Sequence, residues 1–151
     1  MAGVVEEIGD GVSGLTVGYE VFGFTGSSGY AELALAPAGQ LARKPEAVSW
    51  EVTAALPVAV NTACQALADV DLKSGETLVV DGAAGGVATV TVQLARHLGA
   101  TVIGTASERD HEYLRSLTAE PVTYGDGLAA RIRTVAPKGV DAALDVRERA
   151  R

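Results

Sequence analysis

The second half of the chain alternates between short apolar runs and segments with helical spacing. Residues 78–80 and 102–105 are strand-like apolar runs. The apolar residues between them recur at helical spacing: Val87, Val90, Leu94 and Leu98. Residues 87–92 include five β-branched residues in six, which favours a strand by propensity alone. Because the spacing is helical and Gly99 supplies a C-terminal stop, we predict a helix between two strands.

The same alternation continues beyond residue 109. Helix-like segments at 111–117 and 128–136 alternate with strand-like runs at 121–124 and 140–146. Four strands therefore follow residue 77, and each one after the first is preceded by a helix. This order is typical of a parallel sheet, and the right-handed crossover rule places its strands in the order 3-2-1-4. We predict an α/β fold.

The first part of the chain has a different pattern. Apolar runs at 3–8, 19–24 and 30–36 are separated by glycine-rich turns and predict short strands in a small β-rich element. From Ser49, a capping residue with an acid in the turn that follows it, the pattern becomes helical to about residue 68. We expect Pro57 to interrupt this helical segment.

A glycine turn joins the first predicted strand of the second half to its helix. Gly82, Gly85 and Gly86 lie between the two elements. Without a Cβ, the backbone can turn sharply and let a pyrophosphate approach the amides of the helix N-terminus. A glycine turn alone is a weak signal, but its place between two strand-like runs favours a Rossmann-like nucleotide-binding unit.

Composition narrows the class of protein. The 151 residues are 48% apolar and carry a net charge of −7, which disfavours nucleic acid and anionic membranes as partners. No apolar run approaches the roughly 20 residues that span a bilayer, and the chain starts directly in strand-like sequence. We therefore expect a soluble cytoplasmic protein without a targeting segment. The single cysteine, Cys64, excludes a disulfide framework and a cysteine-rich metal site; its apolar helical surroundings predict a buried thiol.

Four motifs in order carry a family resemblance. They are residues 2–24, SGYAELALAP at 28–37, AALPVAVNTACQAL at 54–67 and GAAGGVATVTVQLARHLGATVIGTAS at 82–107. Over residues 2–146 the chain resembles the medium-chain dehydrogenase/reductase superfamily, and within it the zinc-free quinone oxidoreductases and the enoyl reductase domains of polyketide synthases. The resemblance implies a partial GroES-like catalytic-domain segment at 1–48 and a partial Rossmann domain at 49–151.

The resemblance also implies a cofactor and a reaction. NADP(H) would lie in a cleft between the two domains and deliver a hydride to a quinone, an enone or a polyketide-like substrate. No metal is expected, and the resemblance assigns no catalytic residue. The alternatives from the residues are a redox-neutral cyclase or isomerase, a non-catalytic binding protein, and a fragment without a function of its own.

Cofactor contacts carry over by position. Asn61 and Thr62 would lie near the nicotinamide, and Tyr124 near the phosphate side of the cofactor, although loop punctuation also explains a tyrosine there. The pyrophosphate turn would comprise Ala84, Gly85, Gly86 and Val87. Ser107 stands where NAD-specific relatives keep an aspartate, and Arg109 follows it, so NADP(H) is favoured over NAD(H). The alternative for Arg109 is a solvated charge at a helix start.

The chain departs from the family pattern in three residues and in length. Ala88 replaces the third glycine of the turn, Tyr19 an aspartate, and Thr118 the glycine of an LGA turn. Family members are about twice as long, so the resemblance implies that the chain is truncated at both ends. The strand at 140–146 would then form an open apolar edge, from which we predict a homodimer.

Overall fold

The computed structural model describes residues 1–26 and 28–146. These residues fall in two compact units, the first up to Val58 and the second from Ala59 onward. The strands in these residues are β1 (Ala2–Val4), β2 (Glu20–Gly23), β3 (Leu41–Arg43), β4 (Thr77–Asp81), β5 (Thr101–Ala106), β6 (Glu120–Thr123) and β7 (Ala142–Asp145). The helices are α1 (Trp50–Asp69), α2 (Gly86–His97), α3 (His111–Ser116) and α4 (Leu128–Val135), with 3-10 turns at Ala38–Gln40 and Glu108–Asp110.

The first unit contains an antiparallel sheet in the order β1-β2-β3. The strand predicted at 30–36 is wrong, since this segment forms bends and its Leu33 and Leu35 side chains are 73% and 84% exposed. The third strand is β3 instead, paired with β2 through Val21 and Arg43. Because β1 and β3 occupy the two sides of β2, the 30–36 segment does not pair with β2.

Helix α1 begins after Ser49 as expected. The Val52 amide donates to Ser49 Oγ at 3.4 Å. The pKa of Glu51 is lowered, mainly by a backbone hydrogen bond and to a smaller extent by a hydrogen bond with the Ser49 side chain. The predicted interruption at Pro57 is wrong, because α1 is continuous from Trp50 to Asp69. The missing amide of a proline removes one intrahelical hydrogen bond, and here the remaining bonds maintain the helix.

The second unit is built on a parallel sheet in the order β6-β5-β4-β7. Counted from β4, this is the order 3-2-1-4, so the predicted α/β fold and strand order are confirmed. Alternate side chains of each strand point to opposite faces. One face carries the core cluster that includes Leu78, Val80 and Val102, and the other carries Val79 and Ile103 under α4.

Helix α2 is confirmed, but its buried face is not the predicted one. The side chains that pack on the sheet are small or β-branched: Ala88, Thr91, Val92 and Ala95. Val87, Val90 and Leu94 are half-buried, and Leu98 is 48% exposed. Small residues let the helix approach the strands closely, and Ala88, where the family pattern has glycine, is buried against them at 1% exposure. Gly99 ends the helix at a φ of 88°.

Cys64 was predicted to be buried and is exposed on α1. Ala63 and Leu67, which flank it, are buried, so the apolar surroundings in the sequence belong to a neighbouring face of the helix. None of the helices in the described part of the chain is long and apolar enough to cross a membrane.

Candidate functional site

The glycine turn is fixed to the neighbouring strand by hydrogen bonds. After β4 ends at Asp81, Gly82 adopts a φ of 75°, a conformation that favours glycine. Its amide donates to Thr105 Oγ1 at 3.1 Å, and the Ala83 amide donates to the Thr105 carbonyl at 2.9 Å. The Gly85 amide then donates back to the Gly82 carbonyl at 3.0 Å, which closes the turn. The turn is therefore held in one conformation by β5.

Helix α2 begins at Gly86 without a side-chain cap. The first intrahelical bond runs from the Thr89 amide to the Gly85 carbonyl at 2.8 Å. The amides of Gly86, Val87 and Ala88 precede it and have no acceptor within the helix. A Cβ added to Gly86 would meet no atom within 4 Å. Helix α2 therefore begins with uncapped amides beside open space, and amides in such a position are able to bind an anion.

A pair of polar side chains, Thr105 and Asp81, supports the turn. Thr105 is fully buried in β5, and its hydroxyl donates to Asp81 Oδ1 while it accepts from the Gly82 amide. Sequence reasoning missed this pair. The available signal was a threonine inside the otherwise apolar strand β5, together with an acid at the end of β4.

The loop after β5 brings Ser107 and Arg109 together through an acid. The Ser107 hydroxyl donates to Asp110 Oδ2, and Arg109 Nε lies 3.5 Å from the same oxygen. The Ser107 hydrogen bond is the main cause that lowers the pKa of Asp110, and Arg109 adds to it. The Arg109 side chain is 87% exposed. The two residues predicted to bind a phosphate therefore share a carboxylate that sequence reasoning did not include.

The loop after β6 is held by Arg131 of α4. Its Nε donates to the Thr123 carbonyl at 2.9 Å, Nη1 to the Asp126 carbonyl at 2.7 Å and Nη2 to the Gly125 carbonyl at 3.2 Å. Tyr124 lies in this loop with its side chain 50% exposed. Arg131 therefore fixes the backbone that carries Tyr124, although its own positive charge is directed at carbonyl oxygens.

A hydroxyl contact links α2 and α3 beside the turn. Thr89 Oγ1 and Tyr113 OH lie 2.9 Å apart, and Tyr113 is 42% exposed. Thr89 is the first residue whose amide is bonded within α2, so the Tyr113 hydroxyl is near the N-terminal turn of that helix. Sequence reasoning missed this pair as well, because nothing in the spacing relates residues 24 positions apart.

Asn61 and Thr62 lie in the middle of α1, on a different element from the turn. Both side chains are exposed. The hydrogen bonds found among the described residues do not connect them to the glycine turn or to the loop after β5. The role of these two residues at the nicotinamide stays a prediction.

Three loops thus follow neighbouring parallel strands: the glycine turn after β4, the Ser107 loop after β5 and the Tyr124 loop after β6. Because the strands are parallel and adjacent, their carboxyl ends share one edge of the sheet, which is where open α/β sheets bind ligands. The edge offers helix amides, hydroxyls and one exposed guanidinium. Within residues 1–26 and 28–146, no group of three histidine, cysteine, aspartate or glutamate side chains is placed to hold a metal ion. The arrangement suits an anionic nucleotide.

Comparison with models of protein families gives no match. Two of the curated relatives are similar over about three quarters of the chain. Polyketide synthase GfsB of Streptomyces halstedii is 45% identical over 117 residues, which are 77% of this chain and 2% of the synthase. The quinone oxidoreductase of Rattus norvegicus is 41% identical over 116 residues, which are 76% of this chain and 35% of that protein.

Solved structures share the fold. A mycobacterial protein complexed with NADPH superposes with a TM-score of 0.84 at 32% identity, over 94% of this chain and 47% of that chain. The chain therefore corresponds to less than half of the length of these relatives. The identities of 45%, 41% and 32% indicate homology with these proteins, beyond a shared fold.

Proposed function

Since this chain is a homologue of the zinc-free quinone oxidoreductases and of polyketide synthase enoyl reductase regions in the medium-chain dehydrogenase/reductase superfamily, we propose that it is an NADP(H)-dependent oxidoreductase. Its substrate would be a quinone, an enone or a polyketide-like carbonyl compound. In this proposal residues 1–48 are a segment of the catalytic domain and residues 49–151 belong to the Rossmann domain.

The observation that carries the proposal is the open N-terminus of α2. The free amides of Gly86 and Val87 and the empty space above Gly86 are suited to a pyrophosphate. Ala84 and Gly85 complete the turn. Asp81 and Thr105 keep the turn in place before a ligand arrives, so little conformational entropy has to be lost on binding.

The chain's residues would bind and orient the cofactor. When bound, NADPH supplies a hydride, and a proton from the solvent completes the reduction of the quinone or enone. Asn61 and Thr62 are proposed to lie against the nicotinamide, and Tyr124 against the phosphate side of the cofactor. Hydride transfer itself requires no acid or base from these three residues, so we propose no catalytic residue.

The preference for NADP(H) over NAD(H) rests on Arg109. Its side chain is 87% exposed, and its guanidinium contacts Asp110 Oδ2 through Nε alone, at 3.5 Å, so it can turn toward a 2′-phosphate. Ser107 supplies a hydroxyl beside it. NADPH in the similar mycobacterial structure agrees with this preference and supports it by analogy.

Turnover is tested by mixing the protein with NADPH and a set of quinones and α,β-unsaturated ketones and following the absorbance of NADPH. We expect the absorbance to fall with at least one acceptor, and to fall less with NADH. If NADPH binds but is not oxidised with any acceptor, the protein is a relative without hydride transfer, such as a redox-neutral cyclase.

We also propose that the protein forms a homodimer. In the sheet of the described residues, β7 is an edge strand that pairs with β4 alone. Beside it lies an apolar cavity of about 370 Å³ whose lining includes Val79, Ile132, Val140 and Ala143. An apolar edge of this kind is seldom left open, and a second copy that pairs with β7 would cover both features.

A further inference from the structure

We infer that Asp110 is a specificity-determining residue that limits the preference of this site for NADPH over NADH. The inference rests on the proposed function, because it concerns the same nucleotide site. The observation behind it is that Asp110 Oδ2 accepts the Ser107 hydroxyl and lies 3.5 Å from Arg109 Nε. One carboxylate oxygen thus engages both groups that would recognise a 2′-phosphate.

The carboxylate is fixed in this position. The Asp110 amide donates to the Ser107 carbonyl at 2.9 Å, which closes the 3-10 turn Glu108–Asp110 and holds the two residues together. The Asp110 side chain is 33% exposed, in contrast to the neighbouring Arg109 side chain. The Asp110 carboxylate is therefore a fixed part of the loop and is already in this position when a ligand binds.

Its hydrogen bonds compete with those of a phosphate. A serine hydroxyl has one proton to donate, so Ser107 can serve Asp110 or a phosphate oxygen, but not both. Arg109 has further N–H groups, but to bind a phosphate its guanidinium would have to leave Asp110 or bind the phosphate and the carboxylate together. A phosphate that takes these donors leaves the carboxylate with fewer hydrogen bonds.

Charge acts in the same direction. The pKa of Asp110 is lowered, chiefly by Ser107, so its carboxylate is ionised at neutral pH. A phosphate monoester carries about −1.5 to −2 charges there, and two anions near each other repel. NADH has a neutral hydroxyl in place of this phosphate, so the carboxylate has no second anion to repel. The acid therefore weakens NADPH binding and leaves NADH binding nearly unchanged.

The test compares the wild type with Asp110→Asn and the matched control Glu112→Gln. Asparagine keeps an oxygen that can accept from Ser107 and removes the charge. Glu112 is an exposed acid two residues further along, and none of the side-chain hydrogen bonds among the described residues joins it to Ser107 or Arg109. Titration calorimetry gives the Kd of NADPH and NADH for each protein, and circular dichroism checks that each variant is folded.

We expect Asp110→Asn to bind NADPH about tenfold more tightly, with a change in NADH affinity of less than about twofold. Glu112→Gln should leave the ratio of the two affinities near that of the wild type. An unchanged or lower ratio in a folded Asp110→Asn overturns the inference and leaves the proposed function standing. Failure of both nucleotides to bind both the wild type and Asp110→Asn overturns the proposed function and this inference with it.

Discussion

Gly104 of β5 lies so close to Ala83 of the glycine turn that a Cβ on Gly104 would come within 2.7 Å of the Ala83 Cβ. Leu114 Cδ1 would lie 3.0 Å from the same position. The turn is thus packed directly on the strand that also binds it through Thr105. Gly104 is required by close packing, whereas Gly82 is required by its backbone conformation.

Gly104→Ala should therefore destabilise the protein by about 1–3 kcal/mol, because the added methyl group overpacks a buried contact. Gly86→Ala is the matched control, since a Cβ there meets no atom within 4 Å. The double variant Ala83→Gly/Gly104→Ala should recover part of the loss, because it removes the opposing methyl group. Equal urea midpoints for Gly104→Ala and Gly86→Ala would contradict this account.

Thr118→Gly should stabilise the protein by about 1 kcal/mol, because Thr118 has a φ of 61°, where a residue with a Cβ is strained. The Thr118 hydroxyl accepts from Arg96 Nε at 3.2 Å and donates to the Leu117 carbonyl at 2.6 Å, and both hydrogen bonds are exposed. Thr118→Ala also loses these two bonds but keeps a Cβ, so it should be less stable than Thr118→Gly. Thermal unfolding that ranks alanine at or above glycine would show that the backbone is not strained here.

The sequence predicted the turn and the strand order because glycine positions and strand–helix alternation are local features. It did not predict the buried face of α2, because Ala88 and Ala95 give a weaker apolar signal than Val87 and Leu94, which are less buried. The pairing of β2 with β3 was missed for another reason. An apolar run shows that a strand could form, but it does not show which segment occupies the neighbouring position.

The cofactor contacts of the candidate site stay predictions, and the sequence indicated only some of the residues that the structure brings together there. Their places relative to the predicted strands identified four of these residues: Gly85, Gly86, Ser107 and Arg109. Asp110 was missed because an acid at the start of a helix is common and its contact with Ser107 depends on the loop geometry. Thr105 was missed because its role requires the turn to fold back on β5.

Arg109→Ala should lower the affinity for NADPH about tenfold and leave that for NADH nearly unchanged, because a charge-assisted hydrogen bond to a phosphate contributes about 1.5 kcal/mol or more. Arg115→Ala, an exposed arginine of α3, is the control for a general loss of positive charge. Calorimetry gives both affinities. An unchanged NADPH/NADH ratio in Arg109→Ala would remove the guanidinium from the phosphate site.

The proposed homodimer should be visible by light scattering at micromolar concentration as twice the chain mass of 15.4 kDa. Ala143→Lys places a charge in the apolar cavity beside β7 and should shift the mass toward a single chain. Ala68→Lys, at an exposed position of α1, should leave the mass unchanged. A single-chain mass for the wild type would rule the dimer out.

The central claim, that the glycine turn binds a nicotinamide dinucleotide, is tested most directly by titrating NADPH into the wild type and Gly86→Val. Gly9→Val is the control, because a Cβ at Gly9 also meets no atom within 4 Å and lies far from the turn in sequence. We expect NADPH to bind the wild type and Gly9→Val and to show no measurable binding to Gly86→Val, while all three unfold at similar temperatures. Wild-type affinity for NADPH in a folded Gly86→Val would contradict the claim.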